Sequence, residues 1–273
     1  MLYFLILCAV LLITCVIGRS CYEHKHLQKR KYVFQTKEKE GVRIVFLSDL
    51  HENTFGKENE ELILAIREEK PDLILLGGDL IIGKGKRVKT EHALAFLRQI
   101  QGICPIIYSY GNHETRVRET EQFLTYQKEL QCLDIHVLNN EGLLWKKKDR
   151  FFYFYGLELE PEYFKGKKFS GEINPFGDVE EEVTKVLIAH TPNFFDVYAE
   201  WRPNYVLSGH NHGGIVRLPA LGGLISTEHK LLPKYSYGCY EQGKTKMILS
   251  SGAGSHTIKF RLFNPVEIVT VEL

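Results

Sequence analysis

The sequence predicts an α/β fold in which strands and helices alternate within one large domain. Five short apolar runs are typical of buried strands, three other segments have helical periodicity, and a polar side chain stands at the end of every apolar run. With 273 residues, of which 44% are hydrophobic and 25% charged, the chain can bury a full core. These observations favour a parallel sheet covered by helices.

Each predicted element has a local reason. The strands are VRIVFLSD from Val42, DLILLGGD from Asp72, CPIIYSYGNH from Cys104, KVLIAH from Lys185 and YVLSGH from Tyr205. The helices are expected over residues 57–70, 91–101 and 119–130, and Pro71 ends the first of them. Residues 151–157 and 266–273 are rich in aromatic and β-branched side chains, which indicates two further strands.

Polar side chains at the ends of these strands form a candidate metal site. Because the carboxyl ends of parallel strands meet at one crevice, residues that follow them are brought together. A single Asp or His after a strand is as often a turn residue, but five such positions in succession favour a site. The candidates are Asp49, His51, Asp79, Asn112, His113, His190, His210 and His212.

The series D-x-H, GGD, GNHE, H and GHxH resembles the calcineurin-like metallophosphoesterase superfamily over residues 42–273. The stretches HTPNFFD, SGHNHGGIVRLPALGGLIS and FNPVEI are similar to its membrane-associated bacterial branch of YkuE-like and YaeI-like proteins. The resemblance implies a four-layer αββα sandwich, with two packed sheets flanked by helices. It also implies hydrolysis of a phosphoester.

The resemblance also implies a role for each candidate residue. Asp79 would bridge two metal ions. Asp49, His51 and His212 would complete one metal site, and Asn112, His190 and His210 the other. A hydroxide spanning the ions would be the nucleophile, and His113 would assist the leaving group; the alternative for His113 is a histidine that only orients the site by hydrogen bonding.

The ligand types restrict the metals. Carboxylate, imidazole and amide groups accept two divalent ions such as Mn, Fe or Zn, while the absence of cysteine from the candidate set argues against a structural zinc site. The motif of a serine hydrolase, G-x-S-x-G, does not occur.

The first residues differ from the rest of the chain. Residues 2–18 carry no charge, which predicts a transmembrane anchor over residues 1–20, a polar basic linker over 21–40 and the metallophosphoesterase domain over 41–273. A cleaved signal peptide is the alternative, but no Lys or Arg precedes the apolar run. The basic residues after it, from Arg19 to Lys31, favour a cytoplasmic domain.

The substrate is less restricted by the sequence. Residues 213–240 are rich in Gly, aliphatic and Tyr residues, which suits either a groove for a phosphorylated, lipid-linked molecule or a loop packed on its own core. Glu114 is a candidate for orienting the site, His229 and His256 for lining the entrance to the site, and Arg261 for a phosphate contact.

These features predict a membrane-anchored phosphohydrolase that acts on a lipid or cell-envelope phosphoester or pyrophosphate. The alternatives are a nucleotide or nucleic-acid phosphodiesterase of the same superfamily and a non-catalytic scaffold, which would have a broken ligand set. A net charge of +1 provides no general attraction to nucleic acid, so none is expected as a partner. The oligomeric state is left open.

Overall fold

The strands form two six-stranded sheets. The computed structural model describes residues 1–34, 41–85, 87–218, 221–226, 230–255 and 259–273. In chain order the elements are α1 (Leu2–Lys25), β1 (Gln28–Val33), β2 (Arg43–Leu47), a 3-10 turn (Lys57–Asn59), α2 (Glu60–Glu68), β3 (Leu73–Leu76), β4 (Ile82–Lys84), β5 (Arg87–Lys89), α3 (Glu91–Ile100), β6 (Ile106–Ser109), α4 (Asn112–Thr115), α5 (Glu121–Cys132), β7 (His136–Leu138), β8 (Glu141–Lys147), β9 (Arg150–Leu157), a 3-10 turn (Tyr163–Lys165), β10 (Thr184–Ala189), α6 (Phe195–Glu200), β11 (Tyr205–Ser208), β12 (Arg217–Leu218), β13 (Gly222–Gly223), β14 (Gly238–Gln242), β15 (Thr245–Leu249) and β16 (Glu267–Glu272).

Parallel pairing dominates both sheets. The first has the strand order β1-β16-β2-β3-β6-β7, and the second β14-β15-β11-β10-β9-β8. Antiparallel pairs occur between β16 and β2 in the first sheet and at both edges of the second. A parallel connection needs a crossover, and helices α2, α3, α5 and α6 each stand between two parallel neighbours.

Side chains on alternate sides of each strand divide the apolar core into layers. In β2, Val45 and Leu47 pack with the apolar faces of α2, α3 and α5, whereas Ile44 and Phe46 pack toward the second sheet. The outer face of the second sheet is covered by α6 and by Phe164 and its neighbours. The predicted αββα sandwich is confirmed.

The predicted helices form, with shifted ends. The first begins as a 3-10 turn because Glu58 and Asn59 have positive φ angles of 53° and 66°, so regular helix starts only at Glu60. The Asn59 side chain accepts a hydrogen bond from the Phe55 N–H at 3.0 Å, which stabilises this turn. Helix α5 starts later than predicted because Thr120 caps it by accepting from the Phe123 N–H.

The structure differs from the expectation for the linker, residues 21–40. Within it, residues 28–33 form β1, which pairs in parallel with β16 at the edge of the first sheet. Three basic residues in the sequence QKRKYV hide the strand pattern, although charged side chains are common on edge strands because they discourage further pairing. Residues 35–40 lie outside the described residues.

The apolar side chains of helix α1 do not pack against the rest of the chain that the structure describes. It has 24 residues and is long and apolar enough to cross a bilayer, since a helix of that length extends about 36 Å. Only Ser20 and Glu23, near its C-terminal end, are buried. The Val266 N–H donates to the Glu23 carbonyl at 3.1 Å, so this end is attached to the domain.

Candidate metal centre

The eight candidate residues converge between the two sheets. Those in the first half of the chain follow β2, β3 and β6 of the first sheet, and the three later histidines follow β10 and β11 of the second. All eight are at most 7% exposed. The sequence-predicted convergence is therefore present in the structure.

Asp79 lies at the centre of this cluster. Its Oδ2 is 3.1 Å from His190 Nε2, 3.8 Å from His51 Nε2 and 4.0 Å from His113 Nε2. The carboxylate is thus within reach of imidazoles from both sheets.

A second carboxylate lies beside the first. Asp49 Oδ1 is 3.4 Å from His212 Nε2, 3.8 Å from His51 Nε2 and 3.7 Å from His190 Nε2. The Nε2 atoms of His51 and His212 are 3.1 Å apart. His190 and His51 each approach both carboxylates, so the two halves of the cluster are continuous.

The donor set fits divalent metal ions. Three groups of His and Asp residues have ligand atoms that all lie within 4.8 Å of one another: Asp49 with His51 and His212, His51 with Asp79 and His113, and Asp79 with His190 and His210. Buried carboxylate and imidazole groups at such separations are typical ligands of Mn, Fe or Zn.

Asn112 lies beside the group formed by Asp79, His190 and His210. With the amide nitrogen toward His210, it donates to Nδ1 at 2.9 Å, and the oxygen accepts from the Arg116 guanidinium at 3.1 and 3.2 Å. The opposite assignment of the two amide atoms places the oxygen toward His210, which is the orientation that a ligand role for Asn112 needs.

The backbone at the site is strained. Five candidate ligands have positive φ angles, at Asp49 (53°), His51 (49°), Asp79 (55°), His210 (70°) and His212 (45°). Residues with side chains rarely adopt this region, and such strain concentrates at functional sites. Close approach also explains two of the glycines in the motifs, because a Cβ at Gly111 would collide with Asp79 Oδ1 and one at Gly209 with Asp49 Oδ2.

Backbone groups orient three of the imidazoles. His190 Nδ1 contacts the Gly77 carbonyl at 2.8 Å, and His212 Nδ1 the Gly254 carbonyl at 2.9 Å. A carbonyl can only accept, so each Nδ1 carries a proton and Nε2 faces the cluster as a ligand atom. In His113 the arrangement is reversed, because the Gly83 N–H donates to Nδ1 at 3.0 Å. The His113 proton is therefore on Nε2.

The buried carboxylates and imidazoles change each other's pKa values. Burial alone would raise the pKa of Asp79, but the neighbouring imidazoles of His190 and His113 outweigh it and hold the pKa well below its usual range. Burial would lower the pKa of His190, yet the Asp79 and Asp49 carboxylates raise it to about 10. The two buried carboxylates thus favour a positive charge beside them, as a site that binds cations would.

Glu114 orients Asp79 from behind. Its carboxylate accepts hydrogen bonds from the N–H groups of Asp79 (2.8 Å), Leu80 (2.9 Å), Ile81 (3.3 Å) and Gly111 (3.0 Å) and from the Tyr108 hydroxyl (2.7 Å). Burial and the Asp79 carboxylate raise the pKa of Glu114 to about 7, although these donors favour the charged form. The GNHE motif therefore contains a residue that holds the turn after β3.

We expect Glu114→Gln to lower the free energy of unfolding by about 1–3 kcal/mol, because an amide NH₂ would face backbone N–H groups that need an acceptor. Metal affinity should fall about 10–100-fold as Asp79 loses its orientation. Denaturant unfolding and metal titration measure the two effects, with the exposed Glu119→Gln as the matched control. Unchanged values for both would show that Glu114 does not position Asp79.

Other candidates from the sequence have different surroundings. Arg261 is buried, and its guanidinium donates to the carbonyls of Ser251 (2.8 Å) and Gly254 (2.7 Å). It therefore holds the loop that supports His212, and the expected phosphate contact is wrong. His229 and His256 lie outside the described residues.

One aromatic contact was missed by the sequence analysis. The Phe164 ring lies 5.1 Å from the His210 ring and 6.3 Å from the His190 ring, measured between centroids. It stands in a 3-10 turn with no periodic pattern, so no sequence signal indicates this packing.

The sequence pattern of the calcineurin-like phosphoesterase family matches residues 42–214. Phosphodiesterase YaeI of Escherichia coli is 28% identical over 78% of this chain and 75% of its own. The uncharacterized metallophosphoesterase YkuE of Bacillus subtilis is 24% identical over 86% of this chain and 79% of its own. A solved crystal structure, 13% identical, has a TM-score of 0.50 and covers 76% of this chain and 90% of that one, which is a likeness of fold.

This chain belongs to the calcineurin-like phosphoesterase family. Its fold and its buried His and Asp cluster are those of a metal-dependent phosphoester hydrolase. The predicted family is confirmed.

Proposed function

We propose that this chain is a membrane-anchored phosphohydrolase whose activity depends on two divalent metal ions. The observation that carries the proposal is the placement of Asp79 between imidazoles supplied by both sheets, with Asp49 beside it. Two overlapping groups of ligands around one shared carboxylate suit a pair of ions.

The ligands divide into two sets. Asp49, His51 and His212 would hold one ion, His190, His210 and Asn112 would hold the other, and Asp79 would contribute to both. When bound, such ions activate water as a nucleophile and neutralise charge on the phosphoryl group. Mn, Fe and Zn all suit these ligands, so metal availability decides which are used.

His113 acts on the leaving group in this proposal. The hydrogen bond from Gly83 to Nδ1 leaves a proton on Nε2, which lies 4.0 Å from Asp79 Oδ2. That N–H is directed into the cluster, where it can donate to the oxygen released from phosphorus. General acid catalysis of this kind contributes about 10²–10⁴-fold.

The substrate is inferred from the membrane helix. If α1 anchors the chain, the site acts near the bilayer surface, which favours a lipid-linked or cell-envelope phosphoester. The name of the relative YaeI supports a phosphodiester in particular. The basic residues that follow α1 favour the cytoplasmic side for the catalytic domain.

Metal removal and replacement test this function. The full chain in a neutral detergent, stripped of metal, is assayed with p-nitrophenyl phosphate and bis-p-nitrophenyl phosphate after addition of Mn, Fe, Zn or Mg. We expect turnover to be lost on stripping and restored by at least one ion, with the diester preferred. The full chain is needed because removal of residues 1–40 would delete β1 and the buried Glu23. Equal turnover with and without metal would contradict the proposal.

A further inference from the structure

A second polar cavity lies where α1 meets the domain. It has a volume of about 510 Å³, and three arginines, Arg19, Arg30 and Arg217, line it together with Leu218 and Phe263. None of the eight candidate metal-site residues lines this cavity. It is therefore distinct from the metal centre and needs its own explanation.

The positive charge in this cavity is only partly neutralised. Arg19 Nε pairs with Glu23 Oε1 at 2.6 Å, and Arg30 Nε pairs with Glu267 Oε2 at 3.1 Å. Within the part of the chain that the structure describes, no carboxylate forms an ion pair with Arg217. Three cations against two carboxylates leave one positive charge in excess.

Tyr237 holds two of the arginines close together. Its ring centroid lies 3.5 Å from Arg217 Cζ and 4.3 Å from Arg30 Cζ. Burial, and then repulsion by Arg30, lower the pKa of the Arg217 guanidinium. A half-buried cation beside a like charge is stabilised by an incoming anion, and a planar guanidinium binds phosphate oxygens through paired hydrogen bonds.

The cavity lies at the level of a membrane surface if α1 spans the bilayer. Arg19 is the first charged residue after the apolar stretch of α1, so it marks the boundary between acyl chains and headgroups. Its Cζ is 5.5 Å from the centroid of the Phe263 ring, which is 47% exposed. The polar groups of the cavity would therefore lie at the same depth as the lipid headgroups, next to the end of the apolar stretch of α1.

Exposed apolar side chains follow Arg217 and Leu218 in the sequence. Leu221 is 65% exposed, Leu231 76% and Leu232 64%. Leu221 directly precedes Gly222, which lines the cavity. A large aliphatic side chain such as Leu221 next to a cationic pocket suits contact with the acyl region of a lipid whose headgroup occupies the pocket.

We propose that this cavity binds the phosphate of an anionic phospholipid headgroup, with Arg217 as its main cationic contact and Arg19 and Arg30 beside it. The inference rests on the proposed membrane anchoring by α1. It adds a lipid-binding site that is separate from the hydrolytic centre and holds the domain at a fixed height on the bilayer.

Lipid titration of the full chain in a neutral detergent tests the site. Native mass spectrometry compares short-chain phosphatidylglycerol, phosphatidylcholine of the same chain length and glycerol 3-phosphate. We expect phosphatidylglycerol to bind at least about tenfold more tightly than the other two. Phosphatidylcholine carries a choline cation that the arginines repel, and glycerol 3-phosphate lacks the acyl chains that would contact exposed apolar side chains. Arg217→Gln should lose about tenfold of this affinity, while Arg217→Lys should retain part of it.

Arg67→Gln, an exposed arginine on α2, is the matched control and should bind lipid as the unmodified chain does. Thermal unfolding of each variant confirms that it is folded. Equal binding of phosphatidylcholine, or an unchanged affinity in Arg217→Gln, would overturn the proposal. If glycerol 3-phosphate binds as tightly as the lipid, the cavity is a site for a soluble phosphate compound, and the proposal is also overturned.

Two measurements separate this inference from the proposed function. Flotation with phosphatidylcholine vesicles tests anchoring by α1 without any anionic lipid. Metal-dependent turnover of bis-p-nitrophenyl phosphate tests the hydrolytic centre, and Arg217→Gln should leave it unchanged. The unmodified chain could show no metal-dependent turnover and still bind phosphatidylglycerol more tightly than phosphatidylcholine. That result would reject the proposed hydrolase activity and support the lipid-binding site.

Discussion

Asp79→Asn is expected to lower turnover by a factor on the order of 10³ or more, because it removes the charge that the two proposed metal ions would share. The carboxylate Oδ2 lies 3.1 Å from His190 and 3.8 Å from His51, so its charge lies between the ligand groups of the two sheets. Metal content measured by mass spectrometry should fall at both sites, and kcat with bis-p-nitrophenyl phosphate should fall with it.

The chain offers a close control for this substitution. Asp134 has a φ of 54°, against 55° for Asp79, but is exposed and distant in sequence from the motifs. Asp134→Asn therefore makes the same chemical change in the same backbone conformation, and should leave turnover and metal content unchanged. Normal metal content and activity in Asp79→Asn would exclude the two-metal assignment.

His113→Ala is expected to keep its metal while kcat falls by about 10²–10⁴-fold, since in the proposed function the lost group would donate a proton and would not be a metal ligand. The reduction should be greatest for a poor leaving group. Kinetics with phenyl and p-nitrophenyl diesters measure this difference directly. The exposed His136→Ala should have no effect on either substrate.

A second variant separates proton donation from support of the backbone. The Gly83 N–H donates to His113 Nδ1, so alanine removes both that acceptor and Nε2. His113→Asn offers an oxygen near the position of Nδ1 but has no donor near that of Nε2. We expect it to be as slow as His113→Ala yet more stable. Equal losses for both leaving groups, accompanied by loss of metal, would instead make His113 a ligand.

Much of the fold could be predicted because its central strands carry strong patterns. Runs such as VRIVFL and DLILL are apolar on both sides, as strands buried between two layers must be, and helices with Pro or Thr at their ends separate them. Strand β1 escaped prediction because its stability depends on pairing with β16, more than 230 residues later, and not on its own composition.

The candidate site was predictable in its residues but not in its geometry. Asp49, Asp79 and His190 were candidates because each polar residue directly follows a predicted strand, and the topology of a parallel sheet brings such strand ends together. The tautomer of His113 depends on one N–H group of Gly83, and the turn after β3 depends on Glu114. Such contacts depend on backbone segments with positive φ angles and on tertiary packing, and neither produces a periodic pattern in the sequence.

The division of the candidate ligands between the two sheets has a consequence for the whole domain. Apart from this cluster, the sheets meet mainly through apolar side chains such as Phe46, Phe154 and Ile188. Ions held by Asp49 and Asp79 on one side and His190 and His212 on the other would act as a cross-link between the halves of the sandwich. Loading the centre at about a hundred times its dissociation constant would then add about 2.7 kcal/mol to folding. The supply of metal would then affect both the stability of the sandwich and its ability to catalyse hydrolysis.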